Sequence, residues 1–393
     1  MRRLEFLALY VFFFFSATAQ VSLDYINDFR FRCGLMPFIH DAVLERAAHA
    51  HAVYMADNDT LVHYEQPGRP GFTGKTPGDR AIYFGYPTRY VVEDAALVYS
   101  PLDAIDGLFA APYHRVPLLS FDLDLIGFSG EKDYFAMEFS NSYLVDICNS
   151  PHKNIQVHGR YYSRLCRDSS VKVTTGQLQE ALDQVRKANP EVVFFPYNRQ
   201  TDVSVLFYNE WPAPVPGCSV NGYPVSIFFN PFYFDSVEMI KFIVKDNKGH
   251  KVIPARILTA SNDDHKKLSP FQFFFIPKDP LMFNTTYQVK FVARVDGRKR
   301  SFSWKFSTRN VPDIIYWRGN MTVTAQPEDL LNIFIVPKDC NDTHFSLKYR
   351  YNIDKFSVEL QNRFFIIAKI NGQPGEQAEI FTSDGRKITI VIK

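Results

Sequence analysis

The chain has 393 residues, which at roughly 150 residues per domain predicts two or three domains. Hydrophobic residues make up 46 %, aromatics 16 % and charged residues 22 %, a mixture that excludes a disordered chain, a collagen-like repeat and a coiled coil. The 44 basic and 42 acidic side chains leave a formal charge of +2, and no Lys/Arg block interleaves with aromatics. A dedicated nucleic-acid binder is excluded on that ground.

Arg2 and Arg3, the apolar run Phe6 to Phe15 and the small-x-small triplet Ala17-Thr18-Ala19 predict a secretory signal over residues 1–19, with Gln20 as first mature residue. The run is too short to span a bilayer, and no later stretch is long and apolar enough to do so. No transmembrane span is predicted. The protein is expected to be secreted, periplasmic or at the cell surface. Five cysteines fit an oxidising compartment. Cys148 and Cys166 are the expected disulfide, Cys33 reads as a small buried hydrophobe, and Cys218 and Cys340 either bridge two domains or do not.

Residues 22–140 read as α/β. Tyr25, Ile26, Phe29 and Cys33 recur at helical spacing, as do Leu44, Ala47, Ala48, His51 and Met55 in a helix that Asp41 caps. A third helix is signed by Ser100 as cap and Pro101 at its first position, and Pro112 stops it. Leu125 to Phe128 and Tyr134 to Phe139 read as strands. Residues 141–195 form a connecting region with one amphipathic helix, Gly176 to Ala188. Alternation then takes over: Tyr287, Val289, Phe291 and Ala293, then Phe302, Trp304 and Phe306, with turns at Asp246 to Gly249 and Asp296-Gly297. About seven strands over 196–309 predict an immunoglobulin-like sandwich. Strands at Leu331 to Val336, Ser346 to Tyr351, Phe364 to Ile370 and Ile388 to Ile392 predict a small third β domain over 310–393. The aromatic run Phe228 to Phe234 allows two readings, an exposed binding patch or a core strand with a hairpin turn, and the second is preferred.

Reaction motifs are mostly missing: there is no HExxH, GxSxG, P-loop or GxGxxG. His49 and His51 lie two apart on one helix and so point to different faces. Cys33 with His40 is a cysteine-protease pair only on paper. One constellation stands out. His63 sits in a polar loop after the second helix, Glu93 precedes the third helix, and His114 follows its break. Each is expected in a loop or at a helix end, where two imidazoles and a carboxylate can serve as metal ligands or an acid–base group. Spacing alone favours solvated loop histidines.

The stretch from Asn27 and Arg30 through Cys33-Gly34-Leu35-Met36-Pro37 resembles the opening motif of the CAP superfamily in its bacterial secreted form. The resemblance runs on through Ala47-Ala48-His49-Ala50, His63, Asp79-Arg80-Ala81, Gly85-Tyr86, Glu93, Pro112-Tyr113-His114-Arg115 and Ile126-Gly127, covering residues 22–140. It implies an α-β-α sandwich whose cleft carries two His and two acids able to hold Zn2+ or another divalent cation. His63, His114 and Glu93 match three members. Ala110 and Ala111 stand where the second acid is expected, and Asp106 or Glu65 are the substitutes in reach. Residues 196–309, with Asn209-Glu210-Trp211-Pro212 and Trp304 to Thr308, are similar to the linker and Ig-like domain that follow the CAP domain in some bacterial proteins. The four N-x-S/T sites at Asn58, Asn284, Asn320 and Asn341 are chance matches on a bacterial reading.

The expected whole is an α+β multi-domain protein: CAP domain, Ig-like sandwich and small β domain. Its expected function is non-enzymatic binding of a cell-envelope or extracellular ligand, with zinc or a related cation held by His63, Glu93 and His114. The alternative is a metal-assisted hydrolase or peptidase, against which the missing nucleophile and second acid both speak.

Overall fold

A computed structural model describes residues 22–98, 100–150, 159–342, 346–353 and 355–393. The expected secretory signal lies outside the described residues. Helix α1 covers residues 22–32. The Asn27 carboxamide pairs with both backbone groups of Phe38, and the buried Arg30 guanidinium donates to the Met36 and Leu118 carbonyls. These two polar residues therefore tie α1 to the loop after it, which is why they sit in an otherwise apolar helix face.

A four-stranded sheet follows, built from β1 (Ile39–His40), β2 (Val92–Leu97), β3 (Leu125–Glu131) and β4 (Tyr134–Ser140) in the order β1-β3-β4-β2. Helix α2 (Ala42–Asp57) is capped as expected, Asp41 accepting from Val43 N and Leu44 N. It packs on one face of the sheet with α3 (Pro77–Tyr83), over Leu44, Ala47, Ala48, Met55, Ala81, Leu125 and Ala136. The opposite face, Ile126, Phe128, Phe135, Met137 and Phe139, is covered by α1, α4 (Pro101–Ala110) and α5 (Pro112–Leu118). Strict alternation along β3 and β4 sends successive side chains to the two layers. The arrangement is α-β-α.

Several short elements depart from the expectations. Pro112 both ends α4 and opens α5, because a proline ring disfavours helix at the preceding residue yet suits a first helical position. Helix α3 carries a Thr76–Asp79 capping box inside what reads as a Gly/Pro-rich loop. The connecting region holds two helices, α6 (Ser142–Asn149) and α7 (Thr175–Arg186). Cys148 and Cys166 form the expected disulfide there.

Beyond it, two four-stranded sheets face each other. Their strands lie at 192–195, 225–229, 254–259 and 272–277 in one sheet and 200–203, 237–245, 286–295 and 298–308 in the other. Phenylalanines fill the space between them, with Phe291 touching Phe229, Phe242 and Phe273. Phe228 and Phe229 are buried here, while Phe232 and Tyr233 remain partly exposed. The turn after Phe229 is not a hairpin. Its flanking strands belong to different sheets. Residues 315–392 form two further four-stranded sheets around an isoleucine-rich core under Trp317. Cys218 and Cys340 bridge this module to the preceding one. Among the described residues no helix is long and apolar enough to cross a membrane.

Candidate functional site

Strand β2 is the edge of the sheet and carries two adjacent acids. Glu93 lies opposite Glu138 on β4, and Asp94 lies opposite Met137. Period-two alternation therefore sends Glu93 to the α2/α3 layer and Asp94 to the α4/α5 layer. The sequence places Glu93 in a loop or at a helix end; the structure puts it on a strand, since Val92 and Ala95 to Leu97 supply a half-buried β edge around the acids.

On the α2/α3 side the polar groups form a closed cluster. Arg80, fully buried, pairs with Glu93 and, at 3.3 Å, with Glu138, and its Nη1 donates to the His63 carbonyl at 3.0 Å. His51 joins Glu65 through Nδ1 at 3.0 Å and the Val62 carbonyl through Nε2 at 2.7 Å. Glu65 also accepts from Thr73 N and Gly74 N, so it orders the Gly/Pro-rich loop. Burial opposes ionisation of Glu93, but Arg80, His51 and His63 outweigh it and hold the carboxyl at about 2. Burial and the neighbouring Glu93 charge push Glu138 well above its ordinary value. One guanidinium is thus shared between two acids whose pKa values are driven in opposite directions.

His63 stands at the rim of that cluster, its Nδ1 2.9 Å from Glu93 Oε1 and its side chain 38 % exposed. His114 is the third residue of α5 rather than part of a loop. The two imidazole centres are 6.2 Å apart across the β2 edge. At this edge of the sheet His63 therefore pairs with Glu93 and neighbours His114, while Ala110 and Ala111 supply no acid.

Neither expected substitute reaches His114's ring by a hydrogen bond. Glu65 is held by His51 and the loop, and Asp106 accepts from the Tyr25 hydroxyl at 2.7 Å. The carboxylate on His114 belongs to Glu210, 96 residues further on in the β region. Its Oε2 is 2.6 Å from His114 Nδ1, and its oxygens also accept from Tyr113 N at 3.0 Å and His114 N at 3.3 Å. Its side chain is 3 % exposed. The sequence marks Glu210 only inside the Asn209 to Pro212 stretch. No periodicity links it to α5.

Beside this pair lies Asp94, whose Oδ2 is buried with no hydrogen-bond partner among the described residues. Burial pushes its carboxyl up to about 8, against the pull of His114 and with the push of Glu210 and Glu93. Burial disfavours the His114 imidazolium, but the Glu210 hydrogen bond and the nearby Asp94 outweigh it, so the His114 pKa is raised. From the other side Tyr113 donates its hydroxyl to Asp263 at 2.6 Å. Among the described residues no three His, Cys, Asp or Glu side chains form a ready metal cage. Both histidines commit Nδ1 to a carboxylate, and among the described residues neither Nε2 has a hydrogen-bond partner. Each imidazole thus has a carboxylate behind Nδ1 and presents Nε2.

Residues 23–137 match the family model of the cysteine-rich secretory protein family, CAP. No curated protein matches the sequence. Among solved structures the chain is similar to an extracellular protein containing a SCP domain from Bacillus anthracis, at 23 % identity over 32 % of this chain and 40 % of that chain, with a TM-score of 0.29. It is similar also to an outer surface protein from Borrelia burgdorferi, at 22 % identity over 30 % of this chain and 89 % of that chain, with a TM-score of 0.27. The chain thus spans 40 % of the length of the first of these. The family match and the α-β-α layering over the same stretch identify residues 23–137 as a CAP domain at the head of an α+β multi-domain chain.

Proposed function

We propose that this is a secreted, non-enzymatic binding or cell-surface interaction protein of a bacterium, whose CAP cleft holds a divalent cation at His63 and His114. The observation that carries the reading is the pairing of each histidine's Nδ1 with a buried carboxylate, Glu93 or Glu210, which leaves Nε2 as the free donor. Glu93 then orients His63 instead of ligating, because its second oxygen is taken by Arg80. Zinc held by two protein nitrogens keeps open positions for water or a ligand's own donor atom. The β modules act as Ig-like spacer or adhesive units, and the ligand is a component of the cell envelope or the extracellular medium. The signal-like residues 1–19 support secretion.

The hydrolase alternative needs an activated nucleophile. Cys33 does not supply one: its thiol donates to the Phe194 carbonyl, and burial pushes its pKa up to about 12. Thermal melts of the full chain test the cation. Zinc at 100 times its dissociation constant is expected to stabilise the fold by about 2.7 kcal/mol, and His63→Ala to abolish that gain. The gain should fade as the pH falls through the raised His114 pKa, where a proton competes with the cation for that imidazole. Superimposable melts with zinc and with chelator overturn the reading.

A further inference from the structure

Glu210 stands on the β region, not on the CAP domain, yet it makes the shortest polar contact to His114. Its carboxylate is fixed before any ligand arrives. One oxygen accepts from Tyr113 N, and the other accepts from His114 N and faces His114 Nδ1. A carboxylate accepts and cannot donate, so a neutral His114 ring facing it must carry its proton on Nδ1. That leaves the Nε2 lone pair bare. Every part of this depends on the docking of two modules, because α4 and α5 offer only Ala110 and Ala111 at the place of a local acid.

The docking is itself well built. The Arg115 guanidinium, next to His114, is fully buried and donates to the Pro224 carbonyl and to Ser226 Oγ at 2.9 and 3.0 Å. Tyr113 on the other side bonds Asp263. Three consecutive residues of α5 are thus held by the β region, and His114 is the middle one.

We propose that Glu210 is the positioning residue of the cleft: it locks His114 in the Nδ1–H tautomer, so the cation site is completed across the junction between the CAP domain and the β sandwich. The β region is then part of the binding site and not a spacer alone. This rests on the cation reading above, and the test separates the two. Glu210→Gln can keep its oxygen for Tyr113 N, and its NH2 group then takes the place of the oxygen that faces Nδ1, which reverses the tautomer. The full chain, labelled with 15N at histidine, is observed at alkaline pH without metal, with the His114 signal assigned by its loss in His114→Ala. Nδ1–H is expected in the wild type and Nε2–H in Glu210→Gln. Zinc titration of the same two proteins is expected to show affinity falling 10- to 100-fold in the variant. An unchanged tautomer and affinity in a folded Glu210→Gln overturn the proposal. Should that variant fail to fold, an Nε2–H ring in the wild type overturns it equally. A wild type that shows the expected tautomer but binds no zinc overturns the cation reading and leaves the positioning role standing.

Discussion

Asp94 and Glu93 are neighbours in sequence and opposites in charge state. Burial opposes ionisation of both, but Arg80, His51 and His63 outweigh it at Glu93 and hold that carboxyl at about 2, whereas the pull of His114 on Asp94 does not, and Asp94 rises to about 8. The sign of the effect on stability follows. An unfolded aspartate ionises near 3.9, so between about pH 4 and 8 the folded chain keeps a proton that the unfolded chain has lost, and stability falls as pH rises through that window. Asp94→Asn removes the titration but keeps the shape. Its urea midpoint is expected to hold up better than that of the wild type on going from pH 6 to pH 8.5, and equal losses in both proteins refute the assignment. At this scale the sequence was legible in part. His63, Glu93 and His114 could be marked from their order along the chain; His63 pairs with Glu93, and its ring lies 6.2 Å from that of His114. Glu210 could not, because nothing local ties an acid in a proline-rich stretch to a helix 96 residues earlier. Only the missing acid near α4 signalled that a partner had to come from elsewhere.

The elements divide by length and by cap. Helix α2 and α4 show more than two turns of apolar periodicity and a side-chain cap, and the sequence locates both. Helices α3 and α5 have seven residues each, too few for a period to repeat, and β2 hides because two adjacent acids interrupt its alternation. What holds these pieces in place is close packing that only the fold reveals. A Cβ on Gly127 of β3 would lie 2.1 Å from Glu45 N and 2.3 Å from the Leu44 carbonyl carbon, both backbone of α2. Backbone cannot swing aside as a side chain can. Gly127→Ala is therefore expected to push α2 off the sheet and to cost at least the ~1–3 kcal/mol typical of overpacking, read as a lowered denaturation midpoint. Because α2 also carries His51 of the Arg80 cluster, the same variant should perturb the His63 side of the cleft. A midpoint within error of the wild type would mean that α2 does not approach β3 this closely.

The apolar core is continuous across the end of the CAP domain. Phe29 of α1, Phe109 of α4 and Phe195 of the first β sheet pack on one another, with ring centres 4.6 to 5.9 Å apart. Arg115 has its guanidinium over Phe195, Tyr223 and Phe274, and Asn189 donates to the Phe121 carbonyl. One apolar cluster runs from Ile26 to Phe365 without a break at the end of the CAP domain. The C-terminal module has an isoleucine core of its own, but Phe334 and Phe365 also pack on Phe283 of the sandwich, and the Cys218–Cys340 bond and the backbone bonds from Ser219 and Val220 to Cys340 add to that junction. A fragment of residues 22–140 would leave Phe29, Phe109 and the Arg115 guanidinium without their cover, and a buried charge stripped of its acceptors is costly. Residues 22–309 keep that cover. The expected result is that residues 22–309 unfold in one cooperative urea transition, while residues 22–140 bind a hydrophobic dye and melt broadly or not at all. A sharp transition of residues 22–140 at the midpoint of the longer fragment would show the CAP domain to be autonomous, and with it that Glu210 reaches a cleft already formed without the β sandwich.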